Sequence, residues 1–328
     1  MDSSSKGMAT MMKHVTHRIL VGAAVLAGVL GATLVGSRNI DAQSLSYSSG
    51  KNVSPAFEGW ETDADGTSYF LFGYMNENWE EAVSVPVGPD NSFDLLGADQ
   101  GQPTVFLPRR NRYVFKVRVP KDFGQKELVW TLKSNGVTEK AYASLRQDYF
   151  TDNVVIASET GALGAGSSNP TMRANKAPVV AVLGEKKRAA KVGEAIEIVA
   201  SVSDDGVPKA SGPPPGAPAP TAAQMLRRAM SPPYRPTVAK SLGLHMMWFI
   251  YRGPGTATFD PVQIKPWEDT RVGANSPWAP LWVAPPLPQD GKWVSKVTFD
   301  TPGTYLLRAR ADDGALLGDD ELTVTVSR

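Results

Sequence analysis

The sequence has no cysteine, and that absence removes disulfides, thiolate metal sites and a cysteine nucleophile together. Small eukaryotic secreted domains usually depend on disulfides, so a cysteine-free exported chain points to a bacterial periplasm. Histidine is nearly as scarce, with His245 the only one beyond the N-terminal region. A lone histidine without cysteines does not make a zinc site, and no Gly-x-Ser-x-Gly nucleophile elbow accompanies it. His245 reads as a packed or edge histidine in a strand. The formal net charge is only +1, which gives no field to gather nucleic acid. No cofactor and no nucleic-acid partner are expected.

Glycine and proline are plentiful, at 30 and 26 residues, which suits a turn-rich, all-β chain. The apolar fraction of 42% and charged fraction of 20% lie in the globular range. At 328 residues the chain has room for two domains with a core each.

Residues 1–18 form a basic N-region with Lys6, Lys13 and Arg18, expected to stay in the cytoplasm. Residues 19–36 are an uninterrupted apolar stretch, read as a signal peptide or a transmembrane anchor. Val35-Gly36-Ser37 and Ile40-Asp41-Ala42 offer small-residue cleavage sites, whereas Ala24, Gly28, Ala32 and Gly36 recur every fourth residue, as in packed membrane helices. Either way the remainder is exported. The expected location is periplasmic, with membrane contact through this segment.

Residues 37–51 read as a linker and 52–150 as a first antiparallel sandwich. Strands are expected at 68–74, 82–87 and 113–119, the last placing Tyr113, Phe115, Val117 and Val119 on one face. Asn135-Gly136 marks a hairpin between strands at 127–133 and 138–145. Residues 151–176 read as an interdomain linker, with a flexible composition at 161–169. A second sandwich follows at 177–328, with strands at 195–202, 244–252, 305–311 and 321–326. It holds a Pro/Trp-rich insertion at about 209–293, in which 221–230 can form one short helix before Pro232-Pro233.

Candidate chemistry is sparse. Asp63-Ala64-Asp65-Gly66, Asp204-Asp205-Gly206 and Asp312-Asp313-Gly314 can be read as calcium loops or as Asp-Gly turns ending strands. Arg109-Arg110-Asn111-Arg112 reads as a solvated turn, or as a contact for anionic lipid or an acidic partner. Trp267, Trp278 and Trp282, with Tyr251, are rich in aromatics for a surface loop. They either cap their own domain or anchor a protein or sugar interface.

The opening Ala177-Pro178-Val179-Val180, the Val192-Gly193-Glu194 turn and the closing Pro302-Gly303-Thr304-Tyr305 resemble immunoglobulin-like repeats of bacterial surface proteins. More widely, Phe57-Glu58-Gly59-Trp60, Gly101-Gln102-Pro103-Thr104, Tyr251-Arg252-Gly253-Pro254-Gly255 and Lys265-Pro266-Trp267-Glu268-Asp269-Thr270-Arg271 resemble exported two-domain proteins of acidobacterial and gemmatimonad type. That resemblance implies two immunoglobulin-like sandwiches after an N-terminal apolar helix, and brings no catalytic residue with it. It extends to the membrane-extrinsic subunits that brace a gemmatimonad photosynthetic reaction centre within its antenna. The expected function is a non-catalytic scaffold on the periplasmic face of a membrane protein complex. The alternatives are a carbohydrate- or surface-binding module using the Trp-rich loop, and an enzyme of unrecognised type.

Overall fold

A computed structural model describes residues 47–159, 170–209, 218, 221–230, 242–267 and 288–328. The expected N-terminal segments, with Ala24, Gly28, Ala32 and Gly36, lie outside the described residues, as do 160–169 and both Trp278 and Trp282. Among the described residues, no helix is long and apolar enough to cross a membrane.

The first sandwich is built from β1 (Val53–Thr62), β2 (Ser68–Asn76), β3 (Val83–Ser84), β4 (Asn91–Phe93), β5 (Val105–Phe106), β6 (Arg109–Arg118), β7 (Leu128–Ser134) and β8 (Val137–Ala143). Sheet β1-β2-β6 faces sheet β4-β7-β8, with the short pair β3-β5 beside them. All their pairings are antiparallel. The alternating, aromatic-rich strands of the sequence fill one core. Phe72 stacks on Phe115 with ring centroids 5.4 Å apart and meets Trp130 edge-on, and Phe93 stacks on Trp130. The Trp130 indole N–H is not lost in this apolar setting, because it donates to buried Asn91 at 3.0 Å. Asn135 and Gly136 both have positive φ, 47° and 80°, which is what a two-residue turn between β7 and β8 needs.

Two irregularities depart from simple alternation. The register shifts between Phe57 and Gly59 on β1, and between Phe72 and Tyr74 where β2 meets β6. Phe115, Val117 and Val119 do line the core. Tyr113 does not follow them: it sits in the bulge with φ 50° and stays half-buried. An extra residue in a strand re-aims its side chain, so the expected four-residue face is three residues long.

The second sandwich contains β9 (Val179–Val182), β10 (Lys187–Lys191), β11 (Ala195–Ser203), β12 (His245–Arg252), β13 (Ala257–Asp260), β14 (Lys292–Phe299), β15 (Gly303–Asp312) and β16 (Leu317–Ser327). Its sheets are β10-β16-β15-β12 and β13-β14-β11-β9. Every pairing is antiparallel but one: β10 runs parallel to β16, after the chain has crossed from β9 in one sheet to β10 in the other. Tyr305, Leu307, Ala309 and Ala311 enter the core beside Met246, Trp248 and Ile250. Strand β12 is the strand expected at 244–252, and β13 and β14 also belong to the sandwich sheets.

The short helices are α1 (Asn153–Glu159), α2 (Pro170–Arg173) and α3 (Ala222–Met230). Ile156 and Ala157 of α1 pack on Ala315 and Leu316, in the turn between β15 and β16.

Candidate functional site

The strand β12 reads His-Met-Met-Trp-Phe-Ile-Tyr-Arg, with no polar residue on alternate positions. A strand of that kind is covered on both faces. One face enters the second core. The other places Phe249 and Tyr251 against the core of the first sandwich, joined there by Leu306 of β15. The two sandwiches thus meet directly, and their joint is the most elaborate polar site among the described residues.

Tyr251 is 2% exposed. Its hydroxyl donates to the Gly101 carbonyl at 2.5 Å, and its own carbonyl accepts from the Thr104 amide. Burial pushes the phenol up to about 12, so it remains a donor at neutral pH. Arg252 Nε donates to the Gln102 carbonyl at 2.8 Å, while its two terminal nitrogens grip Asp99 at 2.7 and 3.0 Å. The Gly253 amide donates to the Thr104 hydroxyl. A side chain at Gly253 would put its Cβ 2.4 Å from the Tyr305 ring, so the close approach requires glycine.

Arg308 crosses from β15 into the first sandwich. Its guanidinium lies 3.5 Å from the Tyr251 ring centroid, donates to the Val114 carbonyl, and pairs with Glu321 at 2.6 Å. Arg310 holds Asp319 with two bonds of 2.7 Å. Burial alone would lower Arg308, but the carboxylates of Asp319 and Glu321 help to hold it above its ordinary value. Both guanidiniums are permanently charged anchors with fixed geometry.

Among the described residues, the other expected site residues, Arg109, Arg110 and Trp267, are placed apart from Tyr251. Arg109, Arg110 and Arg112 begin strand β6 and are not a solvated turn. Arg109 stacks 3.9 Å from the Trp79 ring and donates to the Glu77 carbonyl. Arg110 pairs with Glu58 at 2.6 Å, and Arg112 with Glu159 of α1 at 2.7 Å. Glu58 sits in the β1 bulge under Gly73, where any Cβ would meet its carboxylate at 2.2 Å. Burial raises Glu58 above the usual carboxylate range even with two arginines beside it. Trp267 is half-buried, with Lys265 5.6 Å from its ring.

The aspartate-glycine runs close turns. Asp65 accepts from the Thr67 amide, and Asp204 and Asp205 accept from Gly206 and Val207. Asp320 pairs with Lys186 and accepts from Val182. Among the described residues, no group of three or more acids or histidines could hold a metal ion. His245 is buried, with Nδ1 3.0 Å from the Gly243 carbonyl. Asp313 is 0% exposed and accepts from the amides of Ala315 and Leu316 and from Asn175.

Burial raises Asp313 from 3.8 to about 6. The folded chain therefore holds this proton more tightly than the unfolded one. Its stabilising contribution is complete below the unfolded value and is lost as pH rises through about 6. Asp313→Asn keeps an acceptor for the two amides, and a flip of Asn175 turns its unpaired Oδ1 toward the new amide donor. We expect the melting temperature of Asp313→Asn to gain on that of the parent between about pH 4 and pH 7, a difference worth up to about 3 kcal/mol. Parallel melting curves across that range would show that Asp313 does not titrate there.

No protein-family model and no curated protein matches the chain. Solved structures similar to it include domains 4 and 5 of the surface-layer protein SbsC, at 9% identity and a TM-score of 0.21, covering 85% of this chain and 98% of that one. A conjugative transposon lipoprotein from Bacteroides eggerthii matches at 10% identity and 0.23, covering 45% of this chain and 95% of that one. The N-terminal eight immunoglobulin domains of Down syndrome cell adhesion molecule match at 7% and 0.21, over 84% of this chain and 27% of that one. Likenesses this slight carry no argument, and the all-β sandwich assignment rests on the strands and cores themselves.

Sequence reasoning singled out Tyr251 and missed Arg308 on its ring, the Arg252 contacts to Asp99 and Gln102, and the Glu321 that holds Arg308. The signal was present. The two runs Gly101-Gln102-Pro103-Thr104 and Tyr251-Arg252-Gly253-Pro254-Gly255, far apart in the chain, are the two sides of the joint.

Proposed function

We propose that the chain is a non-catalytic structural subunit, exported and held at a membrane by its N-terminal segment, that braces a membrane protein complex on its periplasmic face. The observation that supports this reading is the joint. Buried aromatic contacts, a cation over Tyr251 and a bidentate Arg252–Asp99 pair join the two sandwiches directly within one compact unit. Sandwiches joined this way transmit position between two contacts, as a brace must, whereas sandwiches on a free tether do not. Arg110, Arg112 and Arg252, each half-buried, pair with Glu58, Glu159 and Asp99 within the chain. The resemblance noted above makes a photosynthetic reaction-centre–antenna complex the specific candidate for the partner.

The test is purification of the tagged full chain from washed membranes of its own bacterium in mild detergent. The expected result is a stoichiometric membrane protein complex in the same fraction. Recovery as a lone monomer, released by washing, would defeat the proposal.

A further inference from the structure

Helix α3 stands apart from both cores. Its start is capped within the chain: the Thr221 amide donates to Gln224 Oε1 at 2.8 Å, and the Gln224 amide donates back to the Thr221 hydroxyl at 3.3 Å. At 100° per residue, Ala222, Met225, Leu226 and Met230 fall on one side, with Gln224 and Arg227 on the other. Among the described residues the apolar side is exposed. Met225 is 54% exposed, Leu226 60% and Met230 77%. A nine-residue helix is marginal in water unless something covers such a side.

The surrounding sequence indicates what does so. Between Asp205 and Asp260 there is no carboxylate side chain, while Lys209, Arg227, Arg228, Arg235 and Lys240 are cationic, besides Arg252, which Asp99 holds. In a chain of net charge +1 that is a strong local bias. Methionine and leucine on one side and arginine on the other is the pattern of a helix lying in the plane of a bilayer surface, apolar side down, with its cations among anionic headgroups.

We propose that α3 is a second membrane contact: it docks Met225, Leu226 and Met230 into the interface of a membrane containing anionic lipid. This rests on the reading that the chain is held at a membrane, but not on the existence of a protein complex there.

The absence of cysteine makes the test direct, since one introduced thiol takes one label. Full-length Met225→Cys, carrying an environment-sensitive fluorophore, is reconstituted in vesicles with and without phosphatidylglycerol in phosphatidylcholine. Lys140→Cys on the exposed face of β8 serves as the control. With phosphatidylglycerol, a lipid-borne quencher is expected to lower the emission at 225 about twofold or more and to leave 140 unchanged. Adding Arg227→Glu and Arg228→Glu, or raising the salt, should abolish the effect. Met225 is exposed, so these changes leave the sandwiches folded, which tryptophan emission checks. No quenching at 225 in either vesicle overturns the proposal. Equal quenching without phosphatidylglycerol overturns its electrostatic part. Protection of 225 only when a protein partner is added shows that an acidic protein groove is the occupant instead. A chain that purifies alone but passes the vesicle test defeats the brace and leaves this contact standing.

Discussion

Arg308→Ala is expected to lose about 3–5 kcal/mol of stability, the range for removing one partner from a buried charged network. It should also split a single melting transition into two. The cost does not come mainly from Glu321, whose side chain is 40% exposed and can be solvated once the arginine is gone. It comes from the Val114 carbonyl, left without its cationic donor, and from the face of the Tyr251 ring, left against a void. Both of these lie where the sandwiches touch, so each domain keeps its own core while the contact between them weakens. Calorimetry distinguishes the cases. One unsplit transition with a loss below about 1 kcal/mol would place Arg308 among ordinary surface ion pairs. Arg308→Lys should be intermediate, because an ammonium cannot serve the carbonyl, the carboxylate and the ring together.

The second large effect is expected at Gly318, on β16. Its φ is not in the left-handed region, so alanine there is acceptable to the backbone. The obstacle is space. A Cβ would lie 1.8 Å from the carbonyl oxygen of Pro178, with the carbonyl carbon at 2.9 Å. The contact is backbone on both sides, so no rotamer change relieves it. The strand that begins at Val179 must move off β16, taking with it the bond from the Val182 amide to Asp320. Gly318→Ala should cost about 3 kcal/mol or more, at the upper end for overpacking. Gly136→Ala, at φ 80° but with nothing within 4 Å, should cost only about 1 kcal/mol. Urea midpoints for the pair separate steric exclusion from backbone conformation. Equal losses would mean that the β9–β16 crossing yields easily.

Much of the fold was legible because its signals are local. Asn135-Gly136 sets its own turn, and alternation over 115–119 sets which side chains there enter the core. The face of β6 was misread at Tyr113 because a bulge depends on its partner strand, here on Gly73 giving up its side chain to Glu58 and Asn111. The joint was hidden for a related reason. Arg308 and Arg310 alternate with Leu307 and Ala309, which looks like an outward polar face until the first sandwich is seen to cover it. The unbroken apolar run of β12 was the available warning, since a half-buried strand has no reason to be apolar on both sides. The expected tether composition at 161–169 lies outside the described residues, and the sandwiches meet without reference to it. Of the tryptophan cluster, only Trp267 is described.

The one parallel pairing bears on how the molecule is made. Strand β16 is seated between β10 and β15, closing a ladder with residues that leave the ribosome more than a hundred positions earlier. The first sandwich, by contrast, has every strand it needs once β8 has emerged. During N-to-C synthesis it can fold while the second still waits, half-assembled, for its final strand. The outward face of β12, which later clasps the finished neighbour, therefore meets a template already in place.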